Sequence, residues 1–176
     1  MLNKIKKYGC VFLNPTPYLV RKNYILLVSH MRSRSTLLSH ILGSNSEICG
    51  YKELHLLYTH RLSLLRMRVA LENVENYSTC KYLLDKNLHN RLAINPAIFG
   101  GKLKLIILLR EPLGSIASML KMQQRIDKNT KCQDIIDYYK MRIEYLGNFA
   151  EINKNSYLFV DSKNLINLDS SHKCKA

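Results

Sequence analysis

Tyr24-Ile25-Leu26-Leu27-Val28-Ser29-His30-Met31-Arg32-Ser33-Arg34-Ser35-Thr36-Leu37-Leu38 is the stretch on which the fold turns. Its apolar half, rich in aliphatic and β-branched residues, has the length of a buried strand, and an apolar helical pattern begins after the polar turn. Strand, turn and helix start therefore follow one another within fifteen residues. At such a helix start several backbone N–H groups lack an intrahelical partner, and the aligned peptide dipoles favour an anion. Arg32 and Arg34 add positive charge there, and Ser33, Ser35 and Thr36 add hydroxyl donors. The competing account is structural: Ser and Thr are ordinary N-caps, and paired arginines are common on solvated surfaces. The turn has neither the glycines nor the lysine of a Gly-x-x-x-x-Gly-Lys-Ser/Thr phosphate loop, so ATP is not the ligand it suggests first.

Outward from this stretch, the chain reads as one domain over residues 1–176, with a core at about 24–161, a lead-in at 1–22 broken by Pro15 and Pro17, and a polar tail at 162–176. The segment Ser35 to Leu42 is expected to be a helix capped by Gly43, and the turn-rich Asn45 to Gly50 feeds a short extended piece. Leucines at helical spacing predict a longer helix over 54–71. Lys81 to Leu84 is a strand candidate ending at Asp85-Lys86, and 91–99 is a short helix or loop before Gly100-Gly101. The run Lys104 to Leu109 is apolar enough to be a central strand covered on both faces. Arg110-Glu111-Pro112 opens a helix with Pro in its first turn, 132–152 is amphipathic, and Ser156 to Val160 is a last strand ending at Asp161. Strands alternating with helices define an α/β fold, a short parallel sheet flanked by helices. Ligands of such sheets sit beyond the carboxyl ends of the strands, where Arg32, Asp85-Lys86 and Arg110 fall.

Composition narrows the function classes. A hydrophobic fraction of 47% with only 7 glycines and 4 prolines is globular. The net charge of +14, from 27 Lys+Arg against 13 Asp+Glu, points to anionic partners. The lysines form no dense block, which argues against a specific nucleic-acid surface. Cys10, Cys49, Cys80, Cys132 and Cys174 are widely spaced with no Cys-x-x-Cys, which argues against a zinc knuckle or disulfide frame and for a reducing compartment. The apolar runs are strand-length, so no transmembrane segment and a cytoplasmic location are expected.

Arg32-Ser33-Arg34-Ser35-Thr36-Leu37-Leu38 after a strand resembles the 5′-phosphosulfate loop of the sulfotransferase family, with Arg34 where that family usually has glycine. That side chain either crowds a phosphate or reaches it as an extra cation. Arg110-Glu111-Pro112 with Ser118 eight residues after the arginine is similar to the family's 3′-phosphate site. The resemblance covers about residues 24–161 and implies a P-loop-like sulfotransferase fold. It also implies 3′-phosphoadenosine 5′-phosphosulfate as co-substrate, no metal, and a small-molecule or glycan acceptor carrying a hydroxyl or amine. The helices and basic loop that the family carries beyond its fourth strand are not found after Asp161, so the resemblance implies a C-terminally shortened form. Glu53, shortly after Gly50, takes the position of the family's base, with His55 in reserve. Glu53 is equally readable as a carboxylate favoured by a helix N-terminus. Lys86 resembles the lysine that steadies the transferred group, with Asp85 orienting it; a turn ion pair is the alternative. The oligomeric state is not legible. Rival readings are a catalytically weak nucleotide-binding protein and a P-loop kinase.

Overall fold

The computed structural model describes residues 20–153 and 156–166, so most of the lead-in, Cys10 and Cys174, and the tail beyond Ile166 lie outside the described residues. Among the described residues five parallel strands form one sheet in the order β2-β3-β1-β4-β5. The central strand β1 (Asn23–Ser29) pairs with β3 (Tyr82–Asn87) on one side and β4 (Leu103–Leu109) on the other. The two-residue β2 (Ile48–Cys49) extends the β3 edge, and β5 (Tyr157–Asp161) extends the β4 edge. The short extended piece expected before Gly50 is thus a true edge strand, and the sheet has five members where the sequence pattern shows four.

Period-two alternation divides each central strand between two cores. Tyr24, Leu26 and Val28 join Leu83, Leu105 and Ile107 on one face, under α2 (Arg61–Leu71) and α4 (Cys132–Ile152). Ile25 and Leu27 join Leu84, Ile106 and Leu108 on the other, with Leu38 and Leu42 of α1 (Ser35–Gly43). The two-sided coverage expected of β4 is therefore observed. Leu26, Leu27, Val28, Leu83, Leu84 and Leu108 are fully buried. At roughly 1.5–3 kcal/mol for each fully buried aliphatic side chain, this layer is the main source of stability. The helix α3 (Pro112–Gln123) packs on α4 through Met119, Ile135 and Tyr139, its first turn set by Pro112 and by Glu111, whose Oε2 accepts a hydrogen bond from the Gly114 N–H at 2.6 Å. No helix among the described residues is long and apolar enough to cross a membrane, and Cys49, Cys80 and Cys132 are free thiols.

Three local expectations are corrected. The helix expected over 54–71 forms only from Arg61. Before it the chain is extended: the Tyr58 N–H donates to Ala93 O, the Asn95 N–H donates to Tyr58 O, and the Leu54 N–H donates to Asp85 Oδ1. Those partners are thirty or more residues away and outbid the local helical pattern. Asp85 and Lys86 lie inside β3 rather than after it, on opposite faces of the strand. The Asp85 carboxylate is engaged by Tyr58 and two backbone N–H groups, so it does not orient the Lys86 ammonium. Gly43 is no left-handed cap, because the helix runs through it to Ser44 in right-handed conformation. Its value is close approach, since a Cβ there would lie 3.2 Å from Gly50 O.

Candidate anion-binding groove

β1 and β4 are neighbours whose chains leave in opposite directions, one toward β2 and the other toward β5. That makes their carboxyl ends a topological switch point, the place where open α/β sheets hold ligands. An open cavity of about 410 Å³ lies there, lined by Arg32, Arg34, Ser35, Thr36, Glu53, His89 and Arg110, with apolar walls from Met31, Leu37, Leu88 and Met122. This volume is in the range of small-molecule sites. Three of its lining side chains are arginines against one carboxylate, so the groove favours an anion.

The turn is shaped by backbone strain. Arg32 and Arg34 have φ of 61° and 70°, in the left-handed region that ordinary side chains enter at a cost of about 1–3 kcal/mol. Arg34 is the N-cap of α1 and makes no side-chain capping bond, so the first N–H groups of the helix face the groove end without that acceptor. The glycine-like backbone at Arg34 bears on the choice left open by the sequence. Its guanidinium does not fold back across the turn; Nη1 reaches the Ser162 carbonyl and hydroxyl oxygens at 3.4 Å, beside the groove. A stability prediction follows from the φ value. Arg34→Gly is expected to be more stable than Arg34→Ala by about 1 kcal/mol, the reverse of the order inside helices. Urea unfolding of the two variants measures it, and alanine equal to or better than glycine would refute the strained geometry.

Two residues that carry no motif signal lock the turn from behind. His30 is fully buried: its Nε2 accepts the Arg110 backbone N–H at 3.1 Å and its Nδ1 lies 2.8 Å from Met31 O. The pair of bonds fixes a neutral ring with the hydrogen on Nδ1, and burial lowers the pKa of the ring. Arg142 of α4 reaches the ends of both β1 and β3, donating to Ser29 O at 2.9 Å and to Asn87 O at 2.7 Å.

The sequence-derived site residues come together unevenly. Arg32, Arg34, Ser35, Thr36, Arg110 and Glu53 all line the groove. Arg32 Nε donates to Ser118 Oγ at 2.9 Å, and Arg110 Nη1 donates to Arg32 O at 3.2 Å. The strand-one turn and the Arg110/Ser118 pair, expected as two stations on the sheet edge, therefore adjoin through Arg32. Arg110 Nε also contacts Glu111 Oε1 at 3.2 Å. The Ser33 hydroxyl is buried, makes no hydrogen bond within the described residues, and is not part of the groove wall. Lys86 stands behind the wall with Nζ 3.5 Å from Thr36 Oγ1, and burial lowers its pKa against the pull of Glu53 and Asp85.

Glu53 is carried to the groove by the chain leaving β2. Gly50 makes this path possible: its φ is +101°, and a Cβ would come within 2.5 Å of Leu84 O. Glu53 Oε1 is buried without a hydrogen bond among the described residues, 3.5 Å from His55 Nδ1 and 3.6 Å from His89 Nε2. His89 carries no motif signal, since its spacing from Glu53 is long and only the β2–β3 pairing brings them together.

No protein-family model matches the chain, and no curated protein matches it in sequence.

Proposed function

We propose that the groove binds a nucleotide phosphorylated at two positions, with 3′-phosphoadenosine 5′-phosphosulfate as the co-substrate, and that the protein is a sulfotransferase of the P-loop-like kind. The observation that carries the reading is the meeting of the Arg32–Thr36 turn with Arg110 and Ser118 at one switch point of a parallel sheet. The turn supplies backbone N–H groups, two guanidinium groups and the Ser35 and Thr36 hydroxyls to the 5′-phosphosulfate. Arg110 and Ser118 supply the second anion station. A mononucleotide leaves that second station without a partner.

In the proposed reaction the acceptor oxygen or nitrogen forms a bond to sulfur as the bond from sulfur to the 5′-phosphate oxygen breaks. The acceptor's proton passes to Glu53, and the 3′,5′-bisphosphate leaves. The turn arginines stabilise charge growing on the leaving oxygens, and Lys86 adds its charge from behind Thr36, where preorganised cations contribute most. A cytoplasmic protein acting on a small-molecule or glycan acceptor agrees with this chemistry.

Calorimetric titration tests the reading. 3′,5′-Adenosine bisphosphate is expected to bind at least tenfold more tightly than AMP, and Arg110→Ala is expected to remove the difference. Ser118→Ala, which leaves the Arg110 contact to the turn in place, is expected to reduce it. Equal affinity of the unmodified chain for the two nucleotides would overturn the two-station site. A mass-spectrometric screen for sulfated products separates a transferase from a protein that binds the nucleotide without turnover.

A further inference from the structure

We infer that Glu53, His55 and His89 form a binding site for a divalent transition-metal ion, zinc by the character of the ligands, at the edge of the groove. The site is argued from its own geometry and holds whether or not the groove takes a nucleotide.

The three donor atoms lie within 4.8 Å of one another. Two of the separations, Glu53 Oε1 to His55 Nδ1 at 3.5 Å and to His89 Nε2 at 3.6 Å, are too long for good N–H···O hydrogen bonds. They are close to what a metal requires: bonds of about 2.0–2.1 Å in a tetrahedral site set ligand atoms about 3.3–3.4 Å apart. Glu53 Oε1 is also buried and unbonded, an expensive condition for a carboxylate oxygen unless a cation occupies the space it faces.

The surroundings of His89 point the same way. Tyr138 has one hydroxyl proton, and its oxygen lies 3.3 Å from both Leu88 O and His89 Nδ1. With that proton on the Leu88 carbonyl oxygen, the contact to His89 is satisfied when Nδ1–H donates to the phenol oxygen. His89 Nε2 then presents a lone pair toward Glu53 Oε1, which presents another. Two acceptors face each other, and a cation between them resolves the repulsion. A hydrogen-bonded partner behind a metal-binding histidine is the usual device for setting its tautomer.

Two imidazoles and one carboxylate suit Zn²⁺ with a fourth position open, and suit Mg²⁺ and Ca²⁺ poorly. Glu53 and His89 line the same groove as Arg32, Arg34 and Arg110, so an ion held there shares the groove with three cations. That setting favours an anionic fourth ligand such as hydroxide or a phosphate or sulfate oxygen. An ion on Oε1 also lowers the basicity of the whole Glu53 carboxylate, so metal binding and the base role oppose each other.

Cobalt(II) titration of the full chain after treatment with a chelator tests the site. One equivalent is expected to produce the visible absorption of a low-coordinate cobalt centre, displaced by zinc and not by excess magnesium. His55→Ala and His89→Ala are each expected to weaken binding at least tenfold. Tyr138→Phe is expected to weaken it less, and Cys132→Ser to leave it unchanged. His55 is exposed, so its variant carries the test even where His89→Ala does not fold. Absence of saturable binding, or undiminished affinity in His55→Ala, would overturn the site. The nucleotide titration is run without metal, so either result stands apart from the other.

Discussion

Arg142→Ala is expected to lower the unfolding free energy by about 3–5 kcal/mol, the scale for leaving a buried polar network without its central member. Arg142 is fully buried. Its Nε donates to Ser29 O at 2.9 Å, Nη1 to Asn90 Oδ1 at 3.0 Å, and Nη2 to Asn87 O at 2.7 Å and Asn87 Oδ1 at 3.1 Å. The guanidinium also stacks over the Tyr145 ring at 4.9 Å. Burial pushes its pKa down to about 10, which still leaves it charged at neutral pH. Alanine strands those acceptors at the ends of two central strands and opens a cavity between α4 and the sheet. Arg142→Lys keeps the charge but not the planar fork, so an intermediate loss is expected. Because Ser29 leads into the Arg32 turn and Asn87 leads to His89, the lysine variant is also expected to bind 3′,5′-adenosine bisphosphate more weakly at temperatures where it is fully folded. Urea denaturation reads the first effect, and a loss below 1 kcal/mol for alanine would show that the network is not structural.

The difference between what the sequence reveals and what it hides follows from where each residue's partners lie. The apolar run of β4, the amphipathic α4 and the Pro112 helix start are written in local periodicity, and they appear in the fold with bounds within a residue of those expected. The turn at Arg32–Thr36 is legible because strand, polar turn and helix are contiguous. Arg142 is not, since a charged residue on a helix with many charges reads as a solvated face. Lys22 is hidden in the same way: it falls in the apparent lead-in, yet its ammonium is buried and donates to Tyr77 O at 2.8 Å. Asp85 and Lys86 look like a strand end because paired charges usually are. Their placement inside β3 comes from pairing with Leu26 and Leu27 of β1, and their side chains find Tyr58 and Thr36, all far away in sequence. His89 joins Glu53 only through tertiary structure, and no spacing rule would have paired them.

Asp85→Asn is expected to abolish a pH dependence of stability that Asp85→Ala replaces with outright loss. Asp85 is buried, with Oδ1 accepting from the Leu54 N–H at 2.9 Å and the Lys86 N–H at 2.7 Å and Oδ2 accepting from the Tyr58 hydroxyl at 2.6 Å. Burial raises its pKa from 3.8 to about 6, those three bonds and the nearby charge of Glu53 being smaller influences. The folded state therefore holds a proton that the unfolded state has released between about pH 4 and pH 6, and stability falls as pH rises through that window. A displacement of about two pH units corresponds to roughly 3 kcal/mol. In the asparagine variant the amide oxygen accepts the same two backbone N–H groups and the amide nitrogen donates to the Tyr58 oxygen, so the contacts at residue 85 are kept without an ionising group, at the cost of the bond donated by the Tyr58 hydroxyl. Alanine leaves two N–H groups and the phenol unpaired, at a cost of about 3–5 kcal/mol, and frees the 51–58 segment that carries Glu53 and His55. The measurement is the difference in unfolding free energy between the native chain and Asp85→Asn at pH 4.5, 5.5, 6.5 and 7.5. It is expected to shift steadily in favour of asparagine up to about pH 6 and then level off, whereas a difference constant with pH would mean that Asp85 titrates no differently folded than unfolded.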